Sequence, residues 1–463
     1  MPDTQIVWLR RDLRLADNPA LYHAAKAGPV VCFYVLDDDS PKHHAYGGAS
    51  RWWLHHSLES LSNSLAKRHA KLILRRGDAV EELSKVAQEV GANTIHANRH
   101  YEPWWRKAQG KVAEKFDLQL YDGNYLMPPG SITTGTGGQY KIYTPFSRAV
   151  RSEFPPREEL PAPESLSAPA EWPASDDLSD WNLLPAKPDW SGGLADFWQV
   201  GEDAAHERLE WWTDHVDDYD DKRNFPSVDK VSRMSPHLHW GEISPVQIWH
   251  AFKHKRSDGW RTFEGELIWR DYAQNAILQF PAYARKNYRE DFDRFPWRDP
   301  ATDEAAARDL QAWQEGRTGY PIVDAGMRQL YQTGWMHNRV RMITASFLIK
   351  HLLIDWREGE KWFWDTLCDA DYASNATNWQ WTAGTGVDSN MFSRIMAPLT
   401  QSEKFDAARY IREYVPELAR MEEPYIHDPE EFGRRPSGYP RKIVPHKAAR
   451  ERALAALKVM KGG

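Results

Sequence analysis

The chain has 463 residues, with 59 Lys and Arg against 66 Asp and Glu, a formal net charge of -7, and 23 Trp. At about 150 residues per domain, this length predicts two or three domains. The acidic balance excludes a protein that coats nucleic acid through its overall charge, while leaving room for a local basic patch. A hydrophobic share of 41% with 13% aromatic residues supports a packed core and excludes disorder along the whole chain.

The N-terminus has no hydrophobic run of signal-peptide length, because Arg10, Arg11 and Arg14 interrupt it. No stretch approaches the ~18 apolar residues of a membrane-spanning helix. Cys32 and Cys368 allow one disulfide at most, and Cys32 lies in the apolar run Val30 to Leu36. A small core residue is expected there, in a reduced cytoplasm. Up to about residue 130, short apolar runs at Ile6–Leu9, Val30–Leu36, Leu72–Leu74 and Thr94–Ala97 predict buried strands. Between them Leu54, Leu58, Leu61 and Leu65, then Val80, Leu83 and Val90, repeat at helical spacing. Strand and helix in alternation predict a doubly wound parallel sheet with helices on both faces. Residues 155–188 hold eight prolines, which excludes regular helix and predicts a surface link. Beyond about residue 195 long helical patterns dominate, such as Thr344 to Asp355. The expected organisation is an α/β domain at 1–130, a linker at 131–195 and an all-α domain at 196–463.

Familiar catalytic signatures are missing. There is no P-loop, no His-Glu-x-x-His, no Cys-x-x-Cys, and no Gly-x-Gly-x-x-Gly after the first strand. His55 and His56 are adjacent on a predicted helix and so do not share a face, which argues against metal ligation. Charge is uneven in the second half. Glu202 to Asp221 holds nine acids against Arg208, whereas Lys222 to Arg261 holds eight basic residues against three acidic ones. Such a run reads either as a solvated face or as a phosphate-binding surface. It contains Ser232-Arg233-Met234-Ser235-Pro236, whose hydroxyls and backbone N–H groups suit a pyrophosphate at a helix start.

Fourteen of the 23 Trp lie between Trp211 and Trp381. Singly each reads as core packing. Around them stand four segments: Tyr219 to Pro236 (YDDKRNFPSVDKVSRMSP), Glu266 to Tyr272 (ELIWRDY), Gly319 to Met342 (GYPIVDAGMRQLYQTGWMHNRVRM) and Cys368 to Trp381 (CDADYASNATNWQW). In this order and spacing they resemble the photolyase/cryptochrome flavoprotein family, closest to its cyclobutane-dimer repair enzymes. The resemblance runs from Trp8-Leu9-Arg10-Arg11-Asp12-Leu13-Arg14 to Pro445-His446-Lys447.

That resemblance implies an α/β domain followed by a helical domain holding FAD in a bent shape. It assigns flavin contacts to Tyr219, Val231, Ser232, Arg233, Met234, Ser235, Phe263, Glu266, Arg341, Asp369, Ala370, Asp371 and Asn375. Val231 replaces a common Thr, and Phe263 a common Trp. Arg341 and Asp369 match an ion pair beside the flavin ring, a pairing that lowers the cost of burying the carboxylate. Asn375 matches the position facing flavin N5, where repair enzymes commonly carry Asn and plant-type cryptochromes Asp. A neutral amide there avoids a charge clash with the reduced, anionic flavin.

The resemblance also assigns lesion recognition. Trp269 and Trp381 match two indoles that grip a flipped-out dimer, which must regain lost stacking. Glu266 matches an acid that hydrogen-bonds a dimer base. Asn338 and Met342 share a helical face and carry the cyclobutane-dimer pattern, although His337 stands beside them. Arg270 and Arg339 match phosphate contacts. Trp379, Trp356 and Trp297 match an electron relay to the flavin, with an ordinary loop tryptophan as the other reading of Trp297. An antenna pigment is expected, either methenyltetrahydrofolate or a deazaflavin. Tyr101-Glu102-Pro103-Trp104-Trp105 partly resembles the deazaflavin group, and Ser50 to Leu58 resembles plant-type relatives. The implied activity is light-driven repair of cyclobutane pyrimidine dimers by a monomeric lyase carrying reduced FAD. A blue-light receptor and a six-four photoproduct repair enzyme are the alternatives.

Overall fold

The computed structural model describes residues 3–462. Five strands, β1 (Gln5–Leu9), β2 (Val30–Leu36), β3 (Leu72–Arg76), β4 (Thr94–Asn98) and β5 (Asp117–Tyr121), form one sheet in the order β3-β2-β1-β4-β5. Every neighbouring pair is parallel. Parallel neighbours need long crossovers, which are supplied by α1 (Pro19–Ala27), α2 (Gly48–Ala66), α3 (Ala79–Val90) and α4 (Pro103–Ala113). All residues of β1 and β2 are buried, as expected for strands covered on both faces. The core joins Ile6, Trp8, Phe33, Ile73, Leu83, Ile95 and Trp105. Cys32 is part of this buried strand, and burial pushes its thiol up to about 12. The helix starts follow local chemistry. Asn18 accepts from Leu21 N ahead of Pro19, and Asp78 accepts from Val80 N and Glu81 N.

The chain forms two compact units. The first comprises Met1–Asp217, Ser232–Pro281 and Cys368–Ala373, and the second Asp218–Val231, Ala282–Leu367 and Ser374–Gly463. In the first unit, residues 122–142 follow the sheet and lead into α5 (Tyr143–Ser152). From 155 to 188 there is one short 3-10 turn, Leu178–Trp181, and otherwise no helix or strand. The first unit also holds the helix Asp258–Gln279, which starts where Ser257 accepts from Trp260 N.

The second unit is helical, and its described residues contain no strand beyond an isolated bridge of Arg298 with Ile354. The helical pattern over Thr344 to Asp355 is not one helix. The helix Asn338–Ser346 runs into a π-helical turn, Phe347–His351, and Leu353 takes a positive φ of 54°. Asp355 then caps a new helix, Trp356–Thr366. The apolar period continues through the break because the turn is still buried.

Candidate functional site

Glu266, Trp269 and Arg270 lie at i, i+3 and i+4 on the helix Asp258–Gln279, so they share one face. All three are half-buried, while Leu267 and Ile268 between them are buried. Trp269 is stacked on Tyr143 and meets Tyr272 edge-on. Arg270 donates from Nη2 to Leu238 O at 3.1 Å, its guanidinium lies over Tyr125, and its Nη1 is buried with no partner among the described residues. That geometry suits a donor to a buried acceptor.

Other expected flavin residues of the first unit form two groups. Ser232–Ser235 precedes and opens the short helix Ser235–Trp240. Arg233 holds a left-handed φ of 54°, Ser232 O accepts from Arg208 Nε, and Met234 N donates to Ser232 Oγ. Phe263 is buried, edge-on to Trp212. The segment carrying Asp369, Ala370 and Asp371 is anchored on both sides. Trp240 Nε1 donates to Cys368 O at 3.0 Å, and Tyr372 Oη donates to Pro281 O at 3.1 Å. Arg11 ion-pairs with Asp371 at 3.1 Å and with the fully buried Glu102. The Asp371 carboxylate raises the Arg11 pKa against the opposing effect of burial. Nearby His239 is held well below its ordinary value by burial and by Arg11 and Arg270, and both its ring nitrogens lack partners among the described residues. Orphaned donors at Arg270 and His239 beside the Asp371 carboxylate fit a bound polar cofactor. The pairings of Arg11 with Asp371 and of Trp240 with Cys368 escaped sequence reasoning because each spans more than a hundred residues.

The second unit carries the remaining candidates. Asn375 is buried, and its Nδ2 donates to Glu360 Oε1 at 3.0 Å and Glu360 O at 3.2 Å. Both partners are acceptors, so the amide nitrogen must face Glu360 and Oδ1 is turned away as an acceptor. Arg341 Nε donates to Met336 O at 2.8 Å. Tyr219 is buried, with the Arg223 guanidinium over its ring, and Val231 is half-buried. On the helix Asn338–Ser346, Asn338 is exposed and Met342 half-buried on the same face. Arg339 donates to Asn224 Oδ1 and to Met342 Sδ. His337 caps this helix, its Nδ1 accepting from Arg339 N. Trp381 is half-buried, and its carbonyl accepts from Ser389 Oγ.

Relay candidates grade from core to surface. Trp379 is buried against Gly359, where an added Cβ would stand 2.1 Å from the Trp379 ring. Trp356 is fully buried and donates to Asn287 Oδ1 at 2.8 Å. Trp297 is half-buried against Phe295 and Phe392. Trp313, which sequence reasoning passed over, lies 6.3 Å from Trp379.

In the antenna-side loop, Trp105 packs inward on Trp8, Tyr101 Oη donates to Asp122, and Trp104 meets Tyr372 edge-on. A cavity of about 530 Å³ beside α2 is lined by Trp52, His56, Glu59, Asn63, Lys67 and Trp198. At its rim His55 and His56 both reach Glu59, so the three donors lie within 4.8 Å of one another. Glu59, four residues after the first and three after the second, bridges the two faces.

Two family models match the chain: one described as DNA photolyase over residues 5–164, the other as the FAD binding domain of DNA photolyase over residues 263–459. A deoxyribodipyrimidine photo-lyase of Agrobacterium fabrum is 46% identical over 98% of this chain and 98% of its own. A crystal structure of a bacterial class III photolyase from Agrobacterium tumefaciens superposes with a TM-score of 0.93 at 45% identity, covering 100% of this chain and 98% of that one. An archaeal photolyase from Sulfolobus tokodaii, solved with two FAD molecules, superposes with a TM-score of 0.82 at 30% identity, covering 98% and 100%.

Proposed function

From its membership of the DNA photolyase family, to which the chain belongs, we propose how its residues divide the work of light-driven repair of cyclobutane pyrimidine dimers in DNA. The reaction is a carbon–carbon lysis with no net redox change. When bound, reduced FAD would supply the photoexcited electron, and an antenna pigment would pass it light energy. The chain's own residues bind, orient and exclude water.

Asn375 carries the reading. Its amide is pinned nitrogen-first on Glu360, so a neutral acceptor oxygen is offered toward the flavin. Tyr219, Val231, Ser232, Arg233, Met234, Ser235, Phe263, Arg341, Asp369, Ala370 and Asp371 are assigned the other cofactor contacts. Arg270 is reassigned from DNA phosphate to a buried acceptor on the cofactor side, because its guanidinium is turned inward. Trp269 and Trp381 wall the extruded lesion, and Glu266 hydrogen-bonds one of its bases, stabilising the charge that develops there. Asn338 and Met342 are assigned to the lesion, and Arg339 to a phosphate. Trp379, Trp356 and Trp297 would carry electrons from an external reductant at the protein surface to the flavin. The chain acts as a monomer in the cytoplasm, in keeping with its two buried free cysteines and with the absence of a membrane-spanning helix among its described residues.

The test is light-dependent restoration of an oligothymidine carrying a cyclobutane dimer, with reduced FAD bound. Wild type should repair it, and Glu266→Ala should repair it about tenfold less efficiently. Absence of light-dependent repair by wild type would overturn the reading in favour of a receptor. Repair of the six-four lesion alone would move the chain to that branch.

A further inference from the structure

Tyr143 stands at the first position of α5, separated from the last sheet strand by residues 122–142, where the sequence shows no site motif. Its ring lies 3.5 Å from that of Trp269, with an angle of 3° between the planes. Two aromatic rings left to themselves avoid such a full face-to-face sandwich, because their quadrupoles repel. Here the surrounding contacts impose it. Tyr143 Oη donates to Gly265 O at 2.9 Å, one helical turn before Trp269 on the same face. Tyr272 lies nearly perpendicular to both rings, with centroids at 5.8 Å and 5.4 Å. The preceding stretch is tied along the same helix, since Tyr272 Oη donates to Lys141 O, Gln279 Nε2 to Tyr140 O and Gly130 N to Asn275 Oδ1. One indole face is therefore covered by a tethered phenol, while the side chain as a whole remains partly accessible.

We propose that Tyr143 is a positioning residue for lesion recognition, fixing the Trp269 indole from behind so that its other face is set in advance for the extruded pyrimidine dimer. This rests on the lesion role assigned to Trp269 above. An indole free to rotate would have to be ordered during binding, and a backed one is ordered beforehand, so the gain falls on affinity for the flipped-out base. Tyr143 touches neither the flavin nor the reacting bonds in this assignment, so splitting of a bound dimer does not depend on it.

The experiment compares dark binding of an oligonucleotide with one cyclobutane dimer against the same undamaged oligonucleotide, at fixed salt, using flavin-loaded protein. Tyr143→Ala should weaken dimer binding roughly three- to tenfold. Binding of undamaged DNA and repair yield per bound dimer should be unchanged. Tyr143→Phe keeps the stack without the tether and should lose about twofold or less. In a Trp269→Ala background, Tyr143→Ala should cost nothing further, because its effect passes through that indole. Dimer affinity unchanged in Tyr143→Ala, an equal loss for undamaged DNA, or an additive loss in the Trp269→Ala background would each overturn the proposal. Should Tyr143→Ala lose flavin, Tyr143→Leu, which preserves apolar bulk without a flat ring, carries the same comparison. A wild-type protein that does not prefer dimer DNA would instead sink the functional reading.

Discussion

Asp271 in the first unit and Lys350 in the second are buried ions of opposite sign doing the same mechanical job. Neither has an ion-pair partner among the described residues. Asp271 accepts from Leu126 N at 3.3 Å and Met127 N at 2.9 Å, holding the segment after β5 against the helix Asp258–Gln279. Lys350 donates to Met391 O and Arg394 O, both at 2.9 Å, holding the loop that follows Trp381. The difference shows that the leftover backbone groups choose the ion. A segment presenting amides takes an acid, and one presenting carbonyls takes a base. Burial dominates both titrations, pushing Asp271 up to about 7 and bringing Lys350 down to about 7. Met127 N and Arg270 oppose the change at Asp271, while Arg394 adds to that at Lys350.

The symmetry between the two ions breaks most visibly at Asp271→Leu. That change leaves two N–H groups without acceptors, a buried one at Leu126 and a half-buried one at Met127, at about 1–3 kcal/mol each when buried. A loss of roughly 3 kcal/mol in urea unfolding at neutral pH is expected, and a loss under 1 kcal/mol would show that the segment finds other partners. The pH dependence comes next. The raised pKa of Asp271 contributes stability that is full below the unfolded carboxylate value near 4 and is lost as pH rises to about 7. The lowered pKa of Lys350 contributes stability present above the unfolded value near 10.4 and lost as pH falls to about 7. Each tenfold change in proton affinity is worth about 1.4 kcal/mol at most. Asp271→Asn should flatten the acid side of a stability–pH profile by roughly 2 kcal/mol, and Lys350→Met the alkaline side. A slope unchanged in either variant would remove that ion from the account. The smallest effect is Lys350→Met near neutral pH. Under-satisfied carbonyls are better tolerated than amides, and a costly buried charge goes with them, so about 1 kcal/mol is expected by thermal unfolding.

These contrasts bear on what a sequence can disclose. β1 and β2 were legible because a strand buried on both faces is a continuous apolar run. β5 was not, since Asp117–Tyr121 is exposed and half-buried in turn and mixes charge with apolar residues. On the site, Glu266 and Trp269 emerged from one motif because a single helix sets their spacing. Tyr143, Glu360, Arg11 and Lys350 act on residues 126, 15, 360 and 41–44 positions away. No local period encodes such a pairing. The inward turn of Arg270 was hidden for the same reason, since its acceptor, Leu238 O, belongs to another helix.

The six residues Cys368–Ala373 belong to the first compact unit, while the chain on both sides of them belongs to the second. Synthesis runs from the N-terminus, so the first unit lacks one of its pieces until residue 373 has left the ribosome. Neither unit is one contiguous stretch, and a cut anywhere between residues 218 and 373 divides both.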